Sequence, residues 1–445
     1  RGLGFGIFYN MVNLGGFIGP LVAGSLRTIS WDAVFIMSVS WLVVNFIPLL
    51  FYRESSSKLR SSIGAAAVLQ QAQHVLGNSR FALLLFTSVI ILMTGGVSWL
   101  TYTQAFSLIT IWLAANWLWD KCVSVQKASK WYLQPVRVSN RSFALYLAIL
   151  TGFWTVYNQL FYTLPLFIRD YIDTQDLVAL LSYFGQSAVD FFAYVDIQAL
   201  SNKLQTLAAT QSLTPVKEIN LEAVRLELVH LKVNVPVAEI ALFFKQASAS
   251  NFSAEQSMQV AQQWLKYRQV NPEYLINLDF AAIVLLQIIV SVKCQHFKVI
   301  SVLISGLIVT AGAFLVLLLM SAGVLLSQLG GLVVVTVILL IAFGEMLTSP
   351  KSQEYVASFA PKEKAAMFMG YYFVSMALGN LFGGLLSGWL YQSLAVDLSK
   401  PLLMWAVIAL LGLITCAALF IFNRTLVSDI EQQQAFQLTQ ITSSD

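Results

Sequence analysis

The sequence predicts an all-α membrane protein with about ten transmembrane helices. Of its 445 residues, 58% are hydrophobic and only 11% are charged, and the mean hydropathy is +0.72. Apolar windows of about 20 residues, the length that crosses about 30 Å of hydrocarbon as a helix, recur along most of the chain. The basic residues fall in alternate connections between these windows. These three observations exclude an ordinary soluble globular domain.

The predicted spans follow one another along the chain, with the third shorter than the rest. They lie at residues 3–26, 31–52, 80–93, 98–119, 142–169, 271–292, 301–320, 332–347, 365–391 and 401–422. The Gly95-Gly96 pair after the third span predicts a tight hairpin, because one helix from Arg80 to Trp119 would be about 60 Å long. A single long helix is the alternative.

Basic residues follow the second, fourth, sixth, eighth and last spans, whereas the intervening short connections carry almost none. By the positive-inside rule, the basic connections lie in the cytoplasm. We therefore expect an integral, multi-pass protein of the cell (inner) plasma membrane. The residues concerned are Lys58, Arg60, Lys121, Lys127, Lys130, Arg137, Arg141, Lys293, Lys298, Lys351, Lys362, Lys364 and Arg424.

One connection, residues 171–270, is far longer than the others. It has balanced charge, and residues 221–233, 237–246 and 254–270 have helix-like apolar spacing. Ser253 with Gln256 predicts a capping box for the last of these segments. The alternation of basic loops places this segment outside the cytoplasm. It is either a helical cap over the membrane part or a passive insertion, and the sequence favours the passive insertion.

Polar side chains enter several spans, where such residues usually face the bundle interior or a water-filled cavity. Tyr9 and Asn13 are four residues apart and therefore share one face of the first span. Asn13 can equally bond to a neighbouring helix or contact a ligand. On the same span, Gly15 and Gly19 have the spacing of a close helix contact.

The eighth span contains an acid, Glu345, within a mostly apolar stretch. An acid at this depth needs water, a partner or a proton, because burial disfavours the charged carboxylate. Glu345 is therefore our candidate for proton exchange, with a buried salt bridge or a helix-end position as the alternatives. Asp279 in the sixth span is a weaker candidate for the same role, because it is off the face of Asn271, and a contact with the long insertion is the favoured alternative.

Several separated stretches resemble the proton-coupled oligopeptide transporters, a branch of the major facilitator superfamily. FGIFYNMVNLGGF, residues 5–17, is similar to the signature of that family's fifth helix, with Asn10 where the family usually has an apolar residue. GFWTVYNQL resembles the seventh helix, NPEYLINL the eighth, GEMLTSP the tenth and MGYYFVSMALGNLFGG the eleventh. The hairpin between the second and fifth spans resembles the helix pair that bacterial members insert between their two halves.

The resemblance implies a major facilitator superfamily-like helical bundle from which the first four helices of the family are missing. The implied domains are the end of the N-terminal bundle (1–52), cytoplasmic linkers with the inserted hairpin (53–141), the first helix of the C-terminal bundle (142–170), an extracytoplasmic helical insertion (171–270), the rest of the C-terminal bundle (271–422) and a cytoplasmic tail (423–445). The family's acidic and arginine cluster of the first helix would precede this chain.

The resemblance also implies a set of site residues. Glu345 would couple protons and meet a substrate amino group, whereas Asn158 stands where many members carry a glutamate linked to protonation, so this helix lacks that titratable group. Tyr372 stands where the family often has a pocket tryptophan. The implied substrate-binding residues are Tyr9, Asn13, Asn158, Gln159, Tyr162, Asn271, Glu345 and Tyr372.

The function that these observations favour is secondary active transport, by proton-coupled symport of di- or tripeptides or similar small amide-bearing solutes. The alternatives are a carrier of the same fold for a nucleoside, nitrate or drug, and a non-transporting membrane receptor that binds without flux. The expected partners are the solute, protons and the lipid bilayer, with no nucleic acid. No catalytic, phosphate-binding or metal-ligand motif is recognisable, so neither an enzyme nor a cofactor is predicted.

Overall fold

The computed structural model describes residues 2–27, 29–52, 73, 75–97, 99–122, 130–211, 219–249, 252–325, 327–361 and 364–427. Within these ranges the chain forms helices and no extended strand. The basic residues Lys58, Arg60, Lys127 and Lys362, and the end of the predicted tail from residue 428 on, lie outside the described residues.

The helices before the long insertion are α1 (Gly2–Arg27), α2 (Trp31–Val44), α3 (Phe46–Phe51), α4 (Ser79–Gly96), α5 (Tyr102–Cys122), α6 (Arg141–Tyr157), α7 (Gln159–Tyr162) and α8 (Leu164–Tyr171). The insertion contains α9 (Gln175–Ser182), α10 (Gln186–Phe192), α11 (Ile197–Gln211), α12 (Leu221–His230), α13 (Val237–Ala249) and α14 (Ala254–Trp264). It is followed by α15 (Pro272–Cys294), α16 (Val299–Ser321), α17 (Gly330–Phe359), α18 (Ala365–Leu390) and α19 (Pro401–Phe422).

Eight described helical segments are long and apolar enough to cross a membrane. They are Gly4–Arg27, Trp31–Phe51, Ser79–Gly96, Pro272–Cys294, Val299–Ser321, Gly330–Ser358, Ala365–Asp397 and Pro401–Thr425. These segments confirm the predicted all-α membrane fold. The predicted span 98–119 corresponds to α5, a helix of 21 residues.

The predicted span 142–169 is not one helix, because its helical hydrogen bonding is interrupted at Asn158 and again at Thr163. Pro165 lies in the first turn of α8. Proline has no backbone N–H and its ring crowds the carbonyl four residues earlier, so a continuous helix is disfavoured there. The result is three consecutive helices, α6, α7 and α8.

Contacts divide the chain into two compact units, which we describe separately. The first comprises Arg1–Val34, Val156–Lys351 and Leu386–Ile414, and the second comprises Phe35–Thr155, Ser352–Leu385 and Thr415–Asp445.

In the first unit, α1 packs closely along α15. A Cβ atom at Gly16 would lie 2.8 Å from the ring of Phe280, closer than real Cβ contacts allow. By contrast, a Cβ at Gly15 or Gly19 would meet nothing within 4 Å. The expectation that Gly15 and Gly19 form the close contact is therefore wrong, because the face of α1 that meets α15 is the one carrying Gly16.

The insertion has a hydrophobic core of its own within the first unit. The core joins α11, α12, α13 and α14 around Leu204, Leu228, Phe244 and Trp264, each buried. The predicted capping box is confirmed, since Ser253 and Gln256 bond reciprocally at the start of α14. Each of these four helices thus buries an apolar face against the others.

The second unit contains α4 and α5, which are separate helices. Arg80 at the start of α4 forms an ion pair with Asp120 at 3.1 Å and a hydrogen bond with Asn116 at 2.9 Å, both on α5. In the same unit, α18 approaches α6 closely, since a Cβ at Gly379 would lie 2.2 Å from the Cβ of Trp154.

Candidate functional site

Two acids and two tyrosines meet in the interior of the first unit. Tyr9 on α1 donates its hydroxyl to Oε1 of Glu345 on α17. Tyr157, the last residue of α6, donates to Oδ2 of Asp279 on α15 at 3.1 Å. The two carboxyl groups also interact directly with each other. We call these four residues the acid pair and its tyrosines.

Both acids are shielded from solvent. Asp279 is 0% exposed and Glu345 is 2% exposed. No ion pair of the described residues includes either acid. Since two adjacent carboxylates in a dry site repel each other and lack a compensating cation, the stable form of this pair holds at least one proton.

The unpaired oxygens of the acids support this interpretation. Oδ1 of Asp279 and Oε2 of Glu345 are buried and accept no hydrogen bond from the described residues. A proton held between the carboxyl groups would give one of them a donor and the other an acceptor. The two carboxyl groups can therefore share one proton between them.

Two nearby amides donate hydrogen bonds to helix backbones. Asn13 is 3% exposed and donates to the carbonyl of Tyr9, one turn earlier on its own helix, at 2.8 Å. Asn277 donates to the carbonyl of Phe17 at 3.0 Å, which links α15 to α1. These two amides stabilise helices and helix contacts in the structure as it stands.

The predicted residues around the break after α6 differ from one another. Asn158 is buried, and its Nδ2 has no hydrogen-bond partner among the described residues. Gln159 is fully buried and accepts from the Thr163 hydroxyl, which also contacts Ser387 at 2.8 Å. Tyr162 is 38% exposed. Of the three predicted residues, Asn158 alone thus presents an unused buried donor.

Two further predicted residues have hydrogen-bond partners other than the acids. Asn271 caps the start of α15, where its side chain accepts from the Glu273 N–H at 3.4 Å, and it lines a cavity with Arg27 and Lys232. Tyr372 belongs to the second unit, is fully buried and accepts from the Ser352 hydroxyl at 3.2 Å. A role of either residue in substrate binding stays a prediction.

Sequence reasoning ranked Asp279 below Glu345 and did not single out Tyr157. Asp279 contacts Tyr157 and Glu345, so the expected contact with the insertion is wrong for it. Tyr157 gave no polar signal beyond its neighbour Asn158. The usable signal was the position of Asp279 inside an otherwise apolar span, the same argument that selected Glu345.

Comparison with known proteins gives a family match for part of the chain. The family model of the Major Facilitator Superfamily matches residues 270–439, which contain both acids. No curated protein matches the chain. Among solved structures, a crystal structure of a mutant of the peptide transporter POT has 15% sequence identity and a TM-score of 0.43, and the match covers 95% of this chain and 68% of that one.

The family match agrees with the resemblance that the separated motifs indicate. It covers α15 to α19, which contain five of the eight described helical segments long enough to span a membrane. The protein is therefore a multi-pass membrane protein whose described part is all-α and whose residues 270–439 are similar to the Major Facilitator Superfamily.

Proposed function

We propose that this chain forms part of a proton-coupled secondary transporter and that the acid pair carries the coupling proton. The observation that carries the proposal is the burial of Asp279 against Glu345 without a cation, with Tyr9 and Tyr157 donating to them. An intramembrane acid that can change its protonation is a usual element of proton relays in transporters.

The coupling step follows from which helices the cluster joins. By the motif resemblance, α1 belongs to the N-terminal half of the carrier, and α15 and α17 belong to the C-terminal half. With one proton on the acid pair, both tyrosines donate to it and α1 stays bonded to α17 through Tyr9 and Glu345. Loss of the proton leaves adjacent negative charges that need water, which favours separation of these helices and opening of the path.

The substrate class that we propose is di- and tripeptides or similar small amide-bearing solutes. It is supported by the motif likeness of residues 5–17 and by the unused buried donor of Asn158, which suits a peptide carbonyl. An amide side chain both donates and accepts, so it can replace the water that a peptide group loses on entering a dry site.

The test is uptake of a labelled dipeptide into proteoliposomes that contain the full-length protein. We expect an inward proton gradient to drive accumulation, and we expect Glu345→Gln and Asp279→Asn each to abolish accumulation while exchange persists. Asp32→Asn is the matched control, because Asp32 is an exposed acid at the start of α2.

Three outcomes contradict parts of this proposal. Accumulation that is unchanged in both acid variants would exclude the acid pair as the proton carrier. Gradient-driven uptake of another small solute but not of dipeptides would replace the substrate class. Binding of a dipeptide without any flux would favour the receptor alternative.

A further inference from the structure

A cavity of about 260 Å³ opens at the end of α1 in the first unit, away from the acid pair. Its polar lining comes from Arg27 on α1, Asp190 on α10, Lys232 after α12, and Asn271 and Tyr274 at the start of α15. A neighbouring cavity of about 390 Å³ shares Arg27 and extends along α15 to Asn277. The insertion and the membrane helices therefore contribute jointly to the lining of the smaller cavity.

The positive charges of this cavity exceed its negative ones. Arg27 forms an ion pair with Glu273 at 2.8 Å, and Asp190 forms one with Arg268 at 2.9 Å, so both acids already have partners. Lys232 is half-buried, and its ammonium has no ion pair or hydrogen bond among the described residues. Burial and the charge of Arg27 lower the pKa of Lys232, with Glu273 opposing them. An incoming anion would compensate this charge.

The backbone at Lys232 is unusual for a lysine. Its φ is 68°, in the left-handed region, directly after the C-cap of α12, where glycine is the common residue. Two hydrogen bonds hold it there, from its N–H to the carbonyl of Val229 at 2.8 Å and from the N–H of Gln269 to its carbonyl at 2.9 Å. The protein thus holds a cationic side chain at a position where a side chain is costly, a pattern that clusters at functional sites.

The remaining wall is aromatic. The ring of Tyr274 stacks on Phe191 with centroids 5.1 Å apart, and Tyr194 lies beside them and is 47% exposed. A cationic pair beside aromatic rings suits a ligand with a negative group and an apolar part.

We propose that this cavity binds the carboxylate of the incoming solute, with Lys232 as its main donor, Arg27 beside it and the Tyr274–Phe191 stack against the apolar part. The inference rests on the proposed function, because it assigns a capture step to the same solute. It makes no use of the acid pair, so the two can fail separately.

The test compares dialanine with dialanine amide, which lacks the carboxylate, by titration calorimetry on the purified full-length protein. We expect the wild type to bind dialanine about tenfold or more tightly than its amide, as for loss of a charge-assisted hydrogen bond. Lys232→Gly should remove this preference without lowering Tm, because glycine fits a φ of 68°. Lys232→Gln should also remove it, whereas Lys245→Gln, which changes an exposed lysine of α13, should keep it.

Equal affinity of the wild type for dialanine and its amide would overturn the proposal, as would a preference that survives in Lys232→Gly. Gradient-driven uptake, measured in parallel, distinguishes failure of the proposed capture site from failure of the proposed transport function. Proton-driven uptake with no carboxylate preference would leave the transporter standing and exclude the capture site. A carboxylate preference that depends on Lys232, found without proton-driven uptake, would support the capture site and exclude the coupling role.

Discussion

At the residue scale, the polar side chains inside the first unit differ in their hydrogen-bond partners. Asn13 and Asn277 donate to backbone carbonyls, so their hydrogen bonds stabilise helices and helix contacts. Asp279 and Glu345 each retain one unpaired buried oxygen, as does the amide of Asn277. Because a carboxyl group can gain and lose a proton and an amide cannot, proton chemistry in this region concentrates on the acids.

The acid pair has a stability consequence that can be measured. In Asp279→Asn, the amide N–H₂ can donate to Glu345 and no second negative charge can form. The wild type must release a proton from the pair as pH rises and then holds two buried charges, which is costly. We therefore expect Tm of the wild type to fall more between pH 6 and 9 than Tm of Asp279→Asn, measured in detergent by nanoscale fluorimetry. Parallel pH profiles for the two proteins, with Asp32→Asn as the exposed control, would show that the pair holds no proton.

The sequence predicted which single polar residues are buried, but not which of them contact one another. Glu345 is selected by its apolar surroundings alone, and it is 2% exposed. Its contacts with Tyr9 and Asp279 depend on the rotation and depth of three helices packed together. Those quantities are set by packing between helices and not by the periodicity of one helix. The contacts of Asp279 and Tyr157 could therefore not be predicted from the sequence.

At the element scale, the contact between α16 and α17 depends on two glycines that face each other. A Cβ at Gly306 would lie 2.2 Å from the Thr348 hydroxyl oxygen and 2.7 Å from the carbonyl oxygen of Gly344. The second of these atoms is backbone, so only a movement of a helix can relieve the clash. A Cβ at Gly312, on the same helix, would meet nothing within 4 Å.

We therefore expect Gly306→Ala to destabilise the fold by about 1–3 kcal/mol, the usual range for overpacking. Gly312→Ala should be neutral or slightly stabilising, because alanine is the better helix former. Thermal unfolding of the two variants in the same detergent measures the difference. Equal Tm values would mean that α16 and α17 lie farther apart than the structure places them.

Asp170 at the end of α8 provides a second element-scale prediction. It accepts a hydrogen bond from Tyr391, which directly follows α18, and lies near His230 of the insertion. Arg169 binds it through two N–H groups at 2.6 and 2.9 Å, Tyr391 donates to it, and His230 on α12 lies 3.8 Å away. Burial raises the pKa of Asp170, but the hydrogen bonds from Arg169 and Tyr391 outweigh it and lower the pKa below its usual 3.8.

A lowered pKa means that the folded state prefers the ionised carboxyl, so its stabilisation is present above the usual carboxyl value and is lost as pH falls through the folded pKa. We expect Asp170→Asn to have a lower Tm than the wild type at pH 7, and the two Tm values to converge below about pH 4. A Tm difference that stays constant from pH 7 to pH 3 would show that Asp170 contributes by shape and not by charge.

Helix positions were largely predictable from hydropathy, since long apolar runs have few alternatives to a helix in a bilayer. The exception is the predicted span 142–169, which forms α6, α7 and α8. Pro165 carried the signal for one of the two interruptions. The other, at Asn158, has no proline or glycine beside it, so the sequence carries no signal for it.

At the scale of the whole molecule, the insertion has a hydrophobic core separate from the membrane helices. The core cluster runs from Val195 to Trp264 and contains no residue of α15, α16 or α17. Apolar periodicity predicted three of its helices, near Leu221, Val237 and Ala254. The sequence could not predict that the core is self-contained, because the periodicity of one helix does not determine which other helices it packs against.

A separate core predicts that the insertion can lose its structure while the membrane helices keep theirs. Leu228 is 0% exposed in the core, whereas Leu226 on the same helix is 38% exposed. Leu228→Ala should cost about 2–5 kcal/mol locally, and Leu226→Ala much less. Hydrogen exchange followed by mass spectrometry should then show faster exchange across α11 to α14 in Leu228→Ala, with the exchange of α16 unchanged. If exchange rose in α16 as much as in the insertion, the two would unfold together, and the insertion would be a structural part of the bundle.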